Sequence, residues 1–355
     1  MPRSSAVTPN RGRPRTDPGA PPVLFADAAW LHRFAIDRLR RAGVQVAIAG
    51  PDLPSLDRGR AWTLSDVVVT NGTRLTADVL QCLPATGLVV RSGAGADIVD
   101  VEAATRLGIW VSNVPDYCAD EVADHAVLLL LAAWRRLAEV ARLWRLEGRW
   151  NVRDRLPPVR RIQGRRLGVV GFGRVGSGVA RRAAAFGWRV AATDPHVPPT
   201  MLRAVNVRPL GLDDLFAWAD AISLHCPLTS ATHHLVDETR LARVRPGLVL
   251  VNTGRGALVD LDALEVALET GRVGAAALDV LDHEPLPDLA HPLLARPNVL
   301  VTPHVAWYSL ESHRDLGAAI AEEVLAFRRG ERPPRAVNPE ARDAPRTVAR
   351  RDADP

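Results

Sequence analysis

The stretch "RLGVVGFGRVGSGVA", residues 166–180, decides the fold of this chain. An apolar run leads directly into Gly171, Gly173 and Gly176, spaced as G-x-G-x-x-G, and then into an alanine-rich helical segment. A strand that turns on such glycines into a helix is typical of a dinucleotide-binding βαβ unit. The first glycine permits the tight turn, the second lets a pyrophosphate approach the backbone, and the third allows close helix packing. The pattern alone is weak, because a tight turn that binds nothing is the alternative.

Short β-branched runs alternate with helical stretches on both sides of this motif. The candidate strands before it are "VLFAD", "VQVAIAG", "DVVVTNG", "LVVRSG" and "IWVSN". Those of the second half are "RLGVVG", "RVAATD", "DAISLH", "LVLVNTG", "GAAALDV" and "NVLVT". Between the two sets, the pattern predicts one long amphipathic helix from about Ala119 to Gly148. Alternation of this kind predicts an α/β fold with two doubly wound parallel sheets.

Composition limits the classes of protein that this chain can belong to. With 355 residues, 47% hydrophobic and 24% charged, it can form two domains with large cores, and we expect a soluble cytoplasmic protein. The formal charge of +5 owes much to arginines in the first 15 residues, so we do not expect nucleic-acid binding. The sequence contains no lysine, which excludes Schiff-base chemistry. Its three cysteines have no metal-ligand spacing, so no metal is expected.

Polar residues follow the apolar strands of the second half, where open parallel sheets bind ligands. Asp194 stands 18 residues after Gly176, a spacing that suits a carboxylate bound to the adenosine ribose and favours NAD over NADP. A turn or cap before Pro195 is the alternative for Asp194. The other cofactor-binding candidates in this half are loop residues: Arg174, Val175, His225, Cys226, Pro227, Thr253 and Gly254.

Three further strand-end residues form a candidate catalytic set. Arg255, in "NTGRG", suits a bidentate clamp on a substrate carboxylate, with a structural ion pair as the alternative. His304, in "NVLVTPHVAWYS", is the acid–base candidate, although a lone histidine after a strand is often structural. Glu284 can hydrogen-bond one ring nitrogen and stabilise the imidazolium. Trp307 is expected to line the substrate pocket.

The motifs "GFGRVG", "NTGRGALVD", "ALDVLDHEPLP" and "NVLVTPHVAWYS" together resemble the D-isomer-specific 2-hydroxyacid dehydrogenase family over roughly residues 23 to 338. The stretch "PHVAWYS" is similar to the C-terminal binding protein branch, in which a tryptophan follows the catalytic histidine by three positions. The sequence departs from the family's usual pattern at Asp97–Ile98 and at Leu281–Asp282.

The resemblance implies a flavodoxin-like substrate domain and a Rossmann cofactor domain with a cleft between them. The substrate domain is expected at residues 22–118 and 306–338, the NAD-binding domain at 119–305, and disordered tails at 1–21 and 339–355. Arg255, Glu284 and His304 are then the catalytic set, which also places His304 and Asp279 beside the nicotinamide. A substrate-carboxylate loop is implied at Arg91, Ser92, Gly93, Ala94 and Gly95.

The sequence therefore predicts an NAD-dependent enzyme that interconverts a small 2-oxo acid and a D-2-hydroxy acid. The alternative is an NAD(H)-sensing, corepressor-like binding protein with little turnover. A homodimer through the cofactor domain is expected, because the segment from Ala119 to Trp150 carries Trp134, Trp144 and Trp150. The sequence does not identify the particular hydroxy acid or the preferred direction.

Overall fold

The computed structural model describes residues 22–27, 30–49, 55–148, 150–284 and 292–343. The predicted tail at 1–21 lies outside these residues, as does most of the one after 339. The chain forms two compact units. Cys118–Ser309 is one, and the chain before Cys118 joins the chain from Leu310 onward to form the other. The divisions predicted from the sequence, after residues 118 and 305, differ from these by one and four residues.

The first unit is built on a five-stranded parallel sheet with the order β2-β1-β3-β4-β5, which is the flavodoxin-like order. The strands are β1 (Val23–Phe25), β2 (Val46–Ile48), β3 (Val67–Thr70), β4 (Leu88–Arg91) and β5 (Trp110–Ser112). The helices are α1 (Arg33–Arg41), α2 (Ser55–Leu64), α3 (Ala77–Gln81), α4 (Val101–Arg106) and, from the later segment, α13 (Leu310–Arg328). Strands β1, β3 and β4 are almost entirely buried, as their unbroken apolar runs predict.

The later segment is fixed to this sheet at two places. Helix α13 packs on α1, where a Cβ on Gly317 would lie 2.5 Å from the Cβ of Phe34, so this contact requires a glycine. Asn338 is fully buried; it accepts the Val111 N–H at 2.8 Å and donates to the Ile109 carbonyl at 3.0 Å. The chain continues into a 3₁₀ turn at Pro339–Asp343, so the predicted disorder from residue 339 differs from the structure over these five residues.

The second unit contains a seven-stranded parallel sheet with the order β12-β11-β10-β9-β6-β7-β8. The strands are β6 (Arg166–Val170), β7 (Arg189–Thr193), β8 (Arg208–Pro209), β9 (Ala221–Leu224), β10 (Leu248–Asn252), β11 (Val273–Leu278) and β12 (Val299–Val301). The helices are α5 (Ala119–Trp134), α6 (Leu137–Glu147), α7 (Arg174–Ala185), α8 (Pro199–Ala204), α9 (Leu212–Trp218), α10 (Glu238–Arg243), α11 (Leu261–Glu269) and α12 (Pro292–Ala295). The order reverses between β6 and β9, which is the switch point of a doubly wound sheet. The α/β prediction is confirmed, and β8, with two residues, was too short to leave a sequence pattern.

The single helix predicted from Ala119 to Gly148 is wrong, because it is divided into α5 and α6. Arg136 adopts a left-handed conformation with φ of 56° and begins the second helix. Trp134 ends the first: its indole packs edge-on against Trp188 at 4.8 Å, and its N–H donates to the Arg160 carbonyl at 2.8 Å. Helix α6 buries none of its residues. Trp134 therefore belongs to the core of its own unit, while Trp144 and Trp150 are exposed.

Candidate active site

The glycine loop between β6 and α7 has the geometry that its spacing predicts. Gly171 has φ of +87°, and a Cβ there would lie 2.6 Å from the backbone nitrogen of Cys226. A Cβ on Gly176 would lie 2.0 Å from the Gly171 carbonyl oxygen, so helix α7 and the turn after β6 are in direct backbone contact. At Gly173, by contrast, a Cβ would meet nothing within 4 Å. The backbone is open there, at the start of a 12-residue helix, where N–H groups and the helix dipole favour a phosphate.

Two polar atoms at the neighbouring strand ends have no partner within the described part of the chain. They are the buried His225 Nδ1, after β9, and the buried Thr253 Oγ1, after β10. A buried polar atom without a hydrogen bond is unfavourable by about 1–3 kcal/mol, so such atoms are expected where a ligand supplies the partner. Both residues are predicted cofactor ligands. Together with the open backbone at Gly173, they make this edge of the sheet fit a dinucleotide.

His225 and Cys226 are neutral groups. Burial lowers the pKa of His225 to about 3, and its Nε2 lies 2.8 Å from Ser223 Oγ. Burial raises the pKa of Cys226 to about 11. Neither side chain carries charge near neutral pH, and the backbone of this segment supports the turn, since the His225 N–H donates to Val170 at 2.7 Å. These properties suit a segment that lines a cofactor without taking part in the chemistry.

Asp194, after β7, has a structural role in a turn, which was the alternative prediction for this residue. Its carboxylate accepts the Phe172 N–H of the glycine loop at 2.7 Å and the His196 N–H at 2.8 Å. It also lines an open cavity of about 510 Å³, together with residues that include His196 and Arg203. Since each carboxylate oxygen has two acceptor positions, the two backbone bonds leave room for ribose hydroxyls.

His304 and Glu284, after β12 and β11, are in contact. His304 Nδ1 lies 2.5 Å from one carboxylate oxygen of Glu284, and the other oxygen accepts the Leu281 N–H at 2.8 Å. Burial raises the pKa of Glu284, but the hydrogen bond and charge of His304, the Leu281 N–H and the charge of Arg255 together lower it below its usual value. The carboxylate therefore stays ionised beside the imidazole.

Close backbone packing brings the loop of Arg255 to the loop of Glu284. A Cβ on Gly256 would lie 1.9 Å from the Leu281 carbonyl carbon, so no other residue fits there. The fully buried Asn252 holds the loop from below: it accepts the Gly254 N–H at 3.0 Å and donates to the Arg255 carbonyl at 2.8 Å. Asn252 was not predicted as a site residue from the sequence, although an amide at the end of an apolar strand is a usable signal.

Asp279 and Trp307 both hold the loop that carries His304. The Asp279 carboxylate is 1% exposed and accepts the backbone N–H groups of Val305 at 3.0 Å and Ala306 at 2.9 Å. The Trp307 indole N–H donates to the His304 carbonyl at 3.0 Å. These contacts support the backbone of His304. The predicted contacts of Asp279 with the nicotinamide and of Trp307 with substrate stay predictions.

The predicted carboxylate-binding loop, residues 91–95, lies after β4 in the first unit. Ser92 is buried; its N–H donates to the Thr70 carbonyl at 2.8 Å, and its Oγ lies 2.8 Å from Nε2 of His32. Gly93 has φ of +154°, and its carbonyl accepts the Val114 N–H at 2.9 Å. The loop is thus fixed by buried contacts. His32 was not predicted from the sequence, because it is 60 residues away from its partner.

A doubly wound sheet whose carboxyl edge carries a glycine-rich nucleotide loop and an imidazole–carboxylate pair is typical of nicotinamide-dependent oxidoreductases. Residues 127–306 match the family model described as D-isomer specific 2-hydroxyacid dehydrogenase, NAD binding domain. The chain belongs to the D-isomer specific 2-hydroxyacid dehydrogenase family. The predicted family and the predicted NAD cofactor are confirmed.

Relatives and solved structures agree with this assignment. The chain is 40% identical over 268 residues to a glyoxylate reductase of Korarchaeum cryptofilum, covering 75% of this chain and 80% of the relative. It is 40% identical over 320 residues to D-3-phosphoglycerate dehydrogenase of Mycobacterium tuberculosis, covering 90% of this chain but only 59% of that protein. The structure of D-lactate dehydrogenase from Aquifex aeolicus, complexed with NAD and lactic acid, superposes with a TM-score of 0.78. It is 27% identical and covers 92% of this chain and 99% of the other.

Within the described residues, every helix is too short or too polar to cross a membrane. In the same part of the chain, no three His, Cys, Asp or Glu side chains are grouped so that they could hold a metal ion.

Proposed function

We propose that the protein reduces a small 2-oxo acid to the D-2-hydroxy acid, and catalyses the reverse oxidation, with His304 as the acid–base residue. The observation that carries this proposal is the contact of 2.5 Å between His304 Nδ1 and the ionised Glu284. A carboxylate in that position fixes the tautomer and the orientation of the ring. In reduction, His304 Nε2 donates a proton to the carbonyl oxygen of the substrate. In oxidation, the neutral ring accepts that proton.

The other residues of the proposed site bind the substrate and the cofactor and orient them. Bound NADH supplies the hydride for reduction. The guanidinium of Arg255 is proposed to hold the substrate carboxylate, since its loop is fixed by Asn252 and by the packing of Gly256. The backbone of residues 91–95 is proposed as a second carboxylate-binding element. The loop of Gly173, with the first turn of α7, would hold the pyrophosphate, and Asp194 would hold the adenosine ribose.

The substrate is proposed to be a short 2-oxo acid such as glyoxylate or hydroxypyruvate. The glyoxylate reductase relative supports this choice, because the match covers 75% of this chain and 80% of that relative. The test is NADH oxidation with glyoxylate, hydroxypyruvate, pyruvate and longer 2-oxo acids, with NAD reduction by D-3-phosphoglycerate in parallel. Turnover of phosphoglycerate alone would contradict the substrate proposal, and turnover of nothing would contradict the enzymatic one.

Replacing His304 by alanine tests the catalytic assignment. A positioned general acid contributes about 10² to 10⁴-fold, so reduction should fall by that factor. The affinity for NADH, measured by fluorescence titration, should change little, because the glycine loop and Asp194 are elsewhere on the sheet. Reduction at the wild-type rate would show that another group supplies the proton.

A homodimer through the second unit remains a proposal. The exposed apolar side chains of α6 and the segment after it support it: Leu137, Trp144 and Leu146 on the helix are 57%, 52% and 70% exposed, and Trp150 is 91% exposed. Light scattering at micromolar concentration should give the mass of two chains. A single-chain mass would refute it.

The NAD(H)-sensing, corepressor-like role stays the second candidate, and it rests on the tryptophan three positions after His304. The indole hydrogen bond to the His304 carbonyl offers a different reason for a tryptophan there. A pull-down that returned stable protein partners only in the presence of NADH would favour the binding role and, with it, membership of the C-terminal binding protein branch. A cytoplasmic location likewise stays a prediction.

A further inference from the structure

His304 has a backbone conformation that is uncommon for residues other than glycine. Its φ is +52°, in the left-handed region, which disfavours residues that carry a Cβ. Asp279 supplies much of the support from β11. Its backbone carbonyl accepts the His304 N–H at 2.8 Å, and its carboxylate accepts the N–H groups of Val305 and Ala306. The direction of the imidazole therefore depends on how the Asp279 carboxylate is held.

Thr302 and His125 contact this carboxylate in series. Thr302 Oγ1 lies 2.6 Å from Asp279 Oδ1, and an ionised carboxylate only accepts, so the single hydroxyl hydrogen of Thr302 points to Asp279. Nε2 of His125 lies 3.1 Å from Thr302 Oγ1 and 3.6 Å from Asp279 Oδ1. Because the threonine hydrogen is already used, His125 must be the donor in that contact. The two residues thus form a chain of donors that ends on Asp279.

Helix α5 carries His125 and contacts the same loop a second time. Glu121, one turn earlier on the same face of the helix, accepts a hydrogen bond from Ser309 Oγ at 2.7 Å. The side chain of His125 is 18% exposed, and that of Asp279 is 1% exposed. Two contacts from one helix therefore bracket residues 302–309, the segment that contains His304.

We infer that His125 is a positioning residue for the reaction: through Thr302 it orients the Asp279 carboxylate, which holds the loop and directs the imidazole of His304 at Glu284. The inference rests on the proposed role of His304. His125 itself contacts neither substrate nor cofactor in this account. Without His125, the loop should open more readily and the chemical step should be slower, while cofactor binding stays unchanged.

The first experiment measures the protection of the amide hydrogens of the loop, and it does not depend on enzymatic activity. Hydrogen exchange of the full-length protein is followed by mass spectrometry in wild type, H125L and H125Q. In H125L, amide exchange in peptides that contain Val305 and Ala306 should be about 10-fold faster, and peptides of the glycine loop should be unchanged. H125Q keeps a side-chain N–H donor and should restore protection. H233L, the same change at an exposed histidine, is the control and should behave as wild type. Unchanged exchange in H125L would overturn the inference, whether or not the protein turns over a 2-oxo acid.

The second experiment measures the consequence for catalysis with the best 2-oxo acid. H125L should lower kcat by about 10-fold, because a displaced acid is misaligned with the carbonyl, while the Kd for NADH changes less than 2-fold. H125Q should recover most of the loss. The losses of H125L and T302V should not multiply in the double variant, since both act on one chain of donors. Multiplying losses, or a loss confined to KM, would refute the role. If the wild type has no turnover but H125L still loosens the loop, the proposed function fails and the positioning contact stands.

Discussion

Replacing His32 by glutamine should reduce the dependence of stability on pH. His32 is fully buried, with Nδ1 3.1 Å from the Asp27 carbonyl and Nε2 2.8 Å from Ser92 Oγ. Burial lowers the pKa of His32 from 6.5 to about 4, against the opposing influence of the Asp27 charge. The folded protein therefore holds a neutral ring, in which only one of the two nitrogens carries a hydrogen.

The size and sign of the effect follow from that pKa. The pKa of His32 is 6.5 in the unfolded chain and about 4 in the folded one, and each pH unit between them corresponds to about 1.4 kcal/mol, so the full effect is about 3.5 kcal/mol. The folded-state pKa is depressed, so between pH 6.5 and 4 the unfolded chain binds a proton that the folded chain does not. Above pH 6.5, His32 makes its full contribution to the free energy of unfolding. This contribution decreases as the pH falls toward 4.

Urea unfolding followed by circular dichroism at about pH 7.5 and about pH 4.5 measures the difference. Wild type should lose about 2 to 3 kcal/mol more than H32Q between these conditions, because glutamine does not titrate. H233Q, at an exposed histidine, is the control and should lose as much as wild type. If H32Q keeps the full pH dependence of wild type, then His32 is not held neutral by burial, and this account of the loop after β4 is wrong.

Three further substitutions test the second unit. In Glu284→Gln, an amide can still orient His304 but cannot offset the charge of the ring, so the rate of reduction should fall by less than in His304→Ala; an unchanged rate would contradict the pairing. In Gly176→Ala, the added Cβ would lie 2.0 Å from the Gly171 carbonyl. The free energy of unfolding should therefore fall by about 1–3 kcal/mol, and both the melting temperature and the affinity for NADH should decrease. A melting temperature equal to that of wild type would refute the contact. In Asp194→Ser, NADH binding should weaken and the ratio of the Kd values for NADPH and NADH should approach one, because a repulsive charge is removed. A wild type that already prefers NADPH would show that Asp194 does not set the cofactor.

The sequence by itself determined those features that depend on neighbours along the chain. The glycine loop is the plainest case: strand, turn and helix follow from fifteen consecutive residues, and each glycine has the conformation or contact that its place in the motif predicts. The parallel sheets follow from unbroken apolar runs, because a strand covered on both faces needs no polar alternation. Glu284 and His304 could be predicted as site residues for the same reason, since each follows the end of such a run.

The tertiary structure decided whatever depends on residues far apart in sequence. Helices α5 and α6 separate at Arg136 because Trp134 is held by Trp188 and by the Arg160 carbonyl, and no glycine or proline marks that point. Asn338 fixes the segment after α13 to the backbone at β5 through partners more than 220 residues away.

The hydrogen bonds that support the loop of Ser92 and the loop of His304 also join residues far apart in sequence. His32 reaches Ser92 across 60 residues, and His125 reaches Thr302 across 177. A local pattern can place a histidine after a strand, but it contains no information about which distant side chain holds the backbone beneath it. That is settled only when the core packs, because a buried hydrogen bond forms only where packing removes both groups from water and leaves them face to face.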